Sequence, residues 1–410
     1  MSDSLPFLTI DFPPLGGEIK VRDEDFFVEE ITRYDASGQG THTYALIEKK
    51  GVGTTEALGR IARALHIKRR DIGYAGLKDA HAVTRQWISI EHIGAERLQN
   101  LDVPNVRFIQ FNTHSNKIKF GHLAGNRFVI RLRNLMLPLQ QAEKLAKDIL
   151  SMLATKGVPN YFGPQRFGNR KNNHLLGEAI VRDDTEEFID LFLGRPDDTD
   201  SASLSPARKL YEQGHYQEAI DAWPRTSSEH RRALRAIVKS RGKKRKAFDI
   251  VDRHLKGLLV SAYQSELFNK VLTARMPHID RLLLGDFAYK HANGACFQVQ
   301  DADLEQPRCD RFEISPTGPL IGLRTTRLTG PAGEIENAIL QQAKLQETDL
   351  RRMKRFGGRG GRRPLRFQPR NHHVAAESDD LGQYLKLQFE LDPGCYATTV
   401  IAEITKKPTT

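Results

Sequence analysis

The stretch YLKLQFEL at 384–391 sets Leu385, Leu387, Phe389 and Leu391 in strict alternation with other residues, the period-two pattern of a strand with one buried face. It stands late in a chain of 410 residues and resembles the first 150 residues more than the middle. In that first part DFFVEEI (25–31) and THTYALIEKK (41–50) have strand-like content. TTEALGRIARALHI (54–67) puts Leu58, Ile61, Ala62 and Leu65 on one helical stripe, with the Thr54-Thr55 pair as N-cap. RFVIRLRN (127–134) alternates Phe128, Ile130 and Leu132 with its basic residues, and with KIKF (117–120) it predicts a hairpin closed by GHLAGN. A helix follows over 139–153, after Pro138. From about 157 to 345 the pattern is mainly helical, with a small β element near 282–322. A strand that returns so late points to an insertion. The expectation is an α+β fold with a discontinuous domain, 1–155 plus 366–410, interrupted by a domain at 156–365.

Sixty-two Lys and Arg against 51 Asp and Glu give a formal charge of +11, which favours a polyanionic partner, most often nucleic acid. The basic stretches 231–246 and 351–370 are most simply phosphate-contacting or solvated surface. Cys296, Cys309 and Cys395 have neither disulfide nor zinc spacing and suit a reducing cytosol. No apolar run nears the ~20 residues of a membrane span, and the N-terminus lacks the marks of a signal peptide. HANGACF and His372-His373 lack partners at metal-ligand spacing, so no metal is expected. GVGTT before the 54–67 helix lacks the Lys-Ser/Thr of a nucleotide-binding loop.

One acid draws attention. GYAGLKDAHAVTRQW places Asp79 in a glycine turn beside Lys78. Most turn aspartates bond nearby backbone N–H groups, and that reading competes with a catalytic one. Phe128 likewise reads either as core or as a ring that stacks on a splayed base, and Asn126 either as a turn residue or as a base contact.

Several segments together resemble one family, the tRNA pseudouridine synthase D family: IKVRDEDFFVEEI, GYAGLKDAHAVTRQW, GHLAGNRFVIRLR, GVPNYFGPQRFG, SAYQSELFN and GCYATTVIAEI, in the family's order from about residue 20 to 405. The resemblance implies that Asp79 is the essential aspartate and Lys20 its basic partner. It implies that Phe26 contacts substrate, that Asn126 and Phe128 hold the target base, and that Tyr396 lines the same pocket, at a position the family often fills with Phe. It also implies a catalytic domain on a mixed, largely antiparallel sheet, with the family's own α/β domain inserted. The chain departs from shorter bacterial members at Asp23, where Pro is common, and in its long basic stretches.

The implied reaction isomerises uridine at position 13 of tRNA. The N1–C1′ bond is cut, the uracil turns, and C5 joins C1′, with no redox step and nothing added, so no cofactor is expected. One carboxylate suffices, as nucleophile at C1′ or as base at the C2′ proton. It is expected to stay ionised in a pocket largely closed to water, with a cation offsetting desolvation. The uridine must be flipped out of its stack. The expected partner is tRNA, in the cytoplasm, with no membrane and no obligate protein partner. Two rivals remain, a pseudouridine synthase of other RNAs and an RNA-binding protein on the same fold without turnover.

Overall fold

The computed structural model describes residues 5–407. Contacts divide the chain into two compact units, Phe7–Val158 with the segment from Phe367 onward, and Pro159–Arg366.

The first unit is built on nine strands: β1 (Gly16–Glu18), β2 (Phe26–Thr32), β3 (His42–Lys50), β4 (Gly73–Tyr74), β5 (Val83–Glu91), β6 (Val106–His114), β7 (Leu123–Leu135), β8 (Arg370–Asp379) and β9 (Gly382–Leu391). Their order is β8-β9-β7-β2-β5-β3-β6, with β1 on β7 and β4 on β5. Within this sheet β2 and β5 run parallel and the other paired strands run antiparallel, so it is mixed and largely antiparallel, within an α+β fold. The late strand β9 lies against β7 in a register that pairs Leu385 with Leu132, Leu387 with Ile130 and Phe389 with Phe128. All six are buried. Removing these facing apolar rungs from water, at ~25 cal/mol per Å², favours this register over a one-residue slip that would expose them.

Helix α1 (Thr54–Leu65) buries Ala57, Leu58, Ile61, Ala62 and Leu65 against Ala45, Ile47, Ile88 and Ile90 of the sheet. Its N-cap is Gly53, not a threonine, because the Thr54 hydroxyl is committed elsewhere, as described below. The hairpin expected from KIKF does not form. Residues 117–120 stay outside the sheet because side chains rather than a ladder hold them: Ile118 N–H donates to Ser89 Oγ at 2.9 Å, and Tyr44 Oη donates to the Asn116 carbonyl at 2.8 Å. The helix expected over 139–153 extends over Leu139–Lys156.

The unit Pro159–Arg366 is mostly helical. Its longest helix, Arg253–Arg275, is buried on several faces, and Leu259, Val260, Tyr263 and Leu267 join its main apolar cluster. A four-stranded antiparallel sheet (Cys296–Gln298, Phe287–Lys290, Ile314–Leu320, Gly361–Pro364) completes it. Two arginines of the basic stretch 351–370 are taken into the fold. Arg366 is fully buried, its guanidinium 4.0 Å from the Phe312 ring centroid, and Arg362 pairs with the buried Glu336 at 2.6 Å. In 231–246, Lys244 pairs with Asp190 at 2.7 Å and Arg245 with Asp183 at 3.1 Å. A planar guanidinium stacks on rings and forks onto carboxylates, which is why Arg362 and Arg366 are used inside the fold, whereas Arg245 stays more than half exposed. Among the described residues no helix is long and apolar enough to cross a membrane.

His230 lies flat between Phe192 and Trp223, with ring centroids 4.1 and 4.3 Å away. Burial, then the nearby Arg208 and Arg170, push its pKa down to about 4. A base that binds its proton less readily when folded contributes stability above the ordinary value of ~6.5, and that stability is lost as the pH falls through about 4. The full-length protein should therefore lose more of its urea midpoint between pH 7 and pH 4.5 than the His230→Phe variant, which cannot take up that proton. Equal losses would show that His230 does not titrate in this window.

Candidate active site

The loop 75–82 joins β4 to β5 and is tethered from three sides. The Lys78 N–H donates to Thr54 Oγ1 at 2.8 Å. That hydroxyl donates onward to Gln86 Oε1 at 2.8 Å, and Gln86 Nε2 donates to the Gly76 carbonyl at 3.3 Å. Lys49, buried at the end of β3, donates to the Asp79 carbonyl and to the Val52 carbonyl, both at 2.7 Å. Burial pushes the Lys49 ammonium down to about 8, with the Asp79 charge pulling it back up. Buried polar groups with satisfied partners fix one geometry, so the main chain that carries Asp79 is held before any substrate arrives.

The Asp79 carboxylate takes a further partner. Its Oδ2 lies 3.3 Å from Lys20 Nζ, with side-chain exposures of 51% and 23%. In the protein by itself this acid is therefore half open to solvent, not enclosed as the chemistry led one to expect. Lys20 adopts a left-handed backbone at φ 60°, and its ammonium sits 4.4 Å from the Phe26 ring centroid. Phe26 meets Phe128 edge-on at 6.1 Å, and Phe128 meets Phe389 at 5.7 Å. Both Phe26 and Phe128 are as buried as core residues, at 2% and 7% exposure.

On the other side of Asp79 a second chain of contacts runs from the loop into the sheet. Lys78 Nζ donates to Asn126 Oδ1 at 2.5 Å and pairs with Glu30 Oε2 at 3.1 Å. The Lys78 and Glu30 side chains are 5% and 2% exposed. Burial raises the Glu30 pKa and the Lys78 charge partly offsets that. Glu30 also accepts from the Trp87 N–H at 3.4 Å. The pair thus fixes Asn126 at a set distance from the Asp79 loop.

The segment before Phe26 is pinned by charge. Arg133 on β7 forks onto Asp25 at 2.7 and 2.9 Å and reaches Asp379 on β8 at 2.7 Å. Arg22 reaches Asp379 as well, at 2.5 Å. The Arg133 guanidinium, by direct hydrogen bonds, holds the Asp379 carboxyl well below the usual carboxylate range. A planar fork gives orientation as well as attraction, which sets where the chain enters β2 and hence where Phe26 lies.

Of the six residues singled out from sequence, Lys20, Phe26, Asp79, Asn126 and Phe128 are linked by these contacts. Tyr396 lies at the N-cap of the helix Ala397–Thr405 and is 38% exposed. No hydrogen bond or ring contact among the described residues ties its side chain to the other five. Sequence reasoning passed over Lys78 as a mere neighbour of Asp79 and missed Glu30, Lys49, Thr54 and Gln86. One signal was present: Glu30 falls in the inward phase of β2 set by Phe26 and Val28, and an acid at an inward strand position needs a cation.

Comparison with known proteins gives matches along almost the whole chain. The family model of tRNA pseudouridine synthase D (TruD) matches residues 4–404. The chain is 41% identical over 402 residues to tRNA pseudouridine synthase D of Geobacter sulfurreducens, covering 98% of this chain and 97% of that one. It is 36% identical over 406 residues to a protein of that name from Thermus thermophilus, covering 98% and 92%. A crystal structure from Methanosarcina mazei assigned to tRNA pseudouridine synthase D superposes with a TM-score of 0.87 at 26% identity, over 98% of this chain and 96% of that one. The chain belongs to the tRNA pseudouridine synthase D family.

Proposed function

We propose that the protein isomerises uridine to pseudouridine in tRNA, at position 13, in the cytoplasm, with Asp79 as the carboxylate on which the reaction depends. The observation that carries this is the Asp79–Lys20 pair at 3.3 Å, displayed on a loop whose backbone is fixed by Lys49, Thr54 and Gln86. The uracil that leaves C1′ through N1 is the one that returns through C5, so atoms and electrons balance within the substrate. Asp79 acts either as nucleophile at C1′ or as base at the C2′ proton. In both roles it must begin ionised, and Lys20 sets an ammonium 3.3 Å from it.

The half-open carboxylate fits a flipping mechanism. The incoming uridine itself excludes water from Asp79, so desolvation and reaction coincide. Asn126, held by Lys78, offers its amide to the base edge, while Phe26 and Phe128 are assigned to the base on the family resemblance. Tyr396 is assigned to the same pocket on the family resemblance. The unit Pro159–Arg366 corresponds in this reading to the inserted domain of the family. The net charge of +11 supplies affinity for phosphates elsewhere on the tRNA.

Incubating the protein with unmodified tRNA transcripts and mapping pseudouridine by carbodiimide-dependent reverse-transcription stops tests the proposal. A stop at position 13, dependent on the protein, is the expected result. A stop elsewhere, or in another RNA only, overturns the assigned substrate. No new stop in any RNA overturns the enzymatic reading.

A further inference from the structure

A cavity of about 270 Å³ in the sheet-bearing unit is lined by Tyr34, Tyr44, Trp87, Gln110, Asn112 and His122. Rings combined with primary amides suit a nucleobase, since any base has a face to stack and an edge that offers both donors and acceptors. The volume fits one base, being below the ~300–1,000 Å³ usual for drug-sized ligands. The exposed acid Asp35 also lines it, which disfavours a phosphate inside but suits an exocyclic amino group, and Arg33 on the same lining offers a cation to the connecting backbone.

The position of the cavity narrows the occupant. Glu30 lines it, and the same carboxylate pairs with Lys78, which donates to Asn126. A single acid therefore separates the cavity from the residues assigned to the target uridine. The loop that contributes Ile118 and His122 is joined to the loop of Asp79, the Gly121 N–H donating to the Ala75 carbonyl at 2.8 Å. Tyr34 is held in place although 38% exposed: its hydroxyl is 2.8 Å from His122 Nδ1, and its ring stacks on His114 at 5.5 Å. An ordered, partly exposed ring on the lining of a cavity is a ready stacking platform.

We infer that this cavity is a second base subsite, which takes an unpaired nucleobase flanking the flipped uridine, an inference that rests on the reading above of RNA as substrate. Gripping a flanking base would hold the strand in register as the target uridine enters the site. It would also give the protein a way to read sequence next to the modified position, which phosphate contacts alone do not provide.

The test is a cycle between protein and RNA. Tyr34→Ala should raise the Kd for tRNA roughly tenfold to a hundredfold, with a smaller rise for the exposed-strand variant Gln110→Ala and near wild-type binding for Tyr34→Phe. The kcat at saturating tRNA should be unchanged, so the effect falls on KM. With tRNA carrying an abasic ribose at the flanking nucleotide, the penalty of Tyr34→Ala should vanish. Wild-type binding by both alanine variants would overturn the subsite. So would a penalty that persists with abasic RNA on either side of the target, since that marks a merely structural role. Wild-type turnover in the same reactions reports separately on the enzymatic reading, while the binding measurements decide the subsite.

Discussion

Asp79→Asn should bind tRNA within a few-fold of the wild-type affinity yet form pseudouridine at least ~10³-fold more slowly, as expected for loss of a general base or nucleophile. The structure makes this substitution unusually clean. What anchors the loop at this position is the Asp79 carbonyl, held by Lys49 at 2.7 Å, and an asparagine keeps that carbonyl. The side chain loses its charge opposite Lys20, at a site half exposed to solvent, so the fold should be little affected. Single-turnover kinetics on labelled tRNA, alongside a binding titration, read both quantities. Turnover within tenfold of wild type would remove the carboxylate from the chemistry.

The second large effect is on stability. Glu30→Ala leaves the Lys78 ammonium buried without its partner, for which the expected cost is about 3–5 kcal/mol in unfolding free energy. Both side chains are almost fully buried, so solvent screening discounts little of this. Because Lys78 also holds Asn126, kcat should fall together with the denaturation midpoint. Glu30→Gln, which keeps the shape and one acceptor, should be milder on both measures. Urea unfolding followed by circular dichroism measures the difference. A loss below about 1 kcal/mol for Glu30→Ala would show that Lys78 is not held in the folded state as a buried charge.

The strands with clean alternation were readable because period-two burial is a local signal: β2, β3, β7 and β9 stand close to where their apolar residues put them. Helix α1 was readable for the same reason at period 3.6. KIKF failed because its apolar Ile118 is buried by a loop that crosses the sheet, and burial without a ladder leaves the same letters in the sequence. Thr54 failed differently. A threonine at a helix start satisfies the capping rule, but its hydroxyl serves two residues far along the chain, Lys78 and Gln86. The candidate site divides along the same line. Its exposed acid carried a motif, whereas Glu30, Lys49 and Gln86 act through tertiary contacts with no local spacing. Within the stretch 351–370, Arg366 was not legible as core, because a buried arginine and a solvated one are identical until the partners are known.

Arg127 on β7 and Glu390 on β9 bond across the sheet from positions 263 residues apart. During synthesis at roughly 5–20 residues per second, β7 therefore leaves the ribosome some ten seconds or more before its neighbour on that side exists. Through that interval Phe128, Ile130 and Leu132 lack a strand on the β9 side, while the whole of Pro159–Arg366 is being made. The nascent chain thus carries an open sheet edge for most of its synthesis, and a message cut short before codon 382 yields a protein in which that edge never closes.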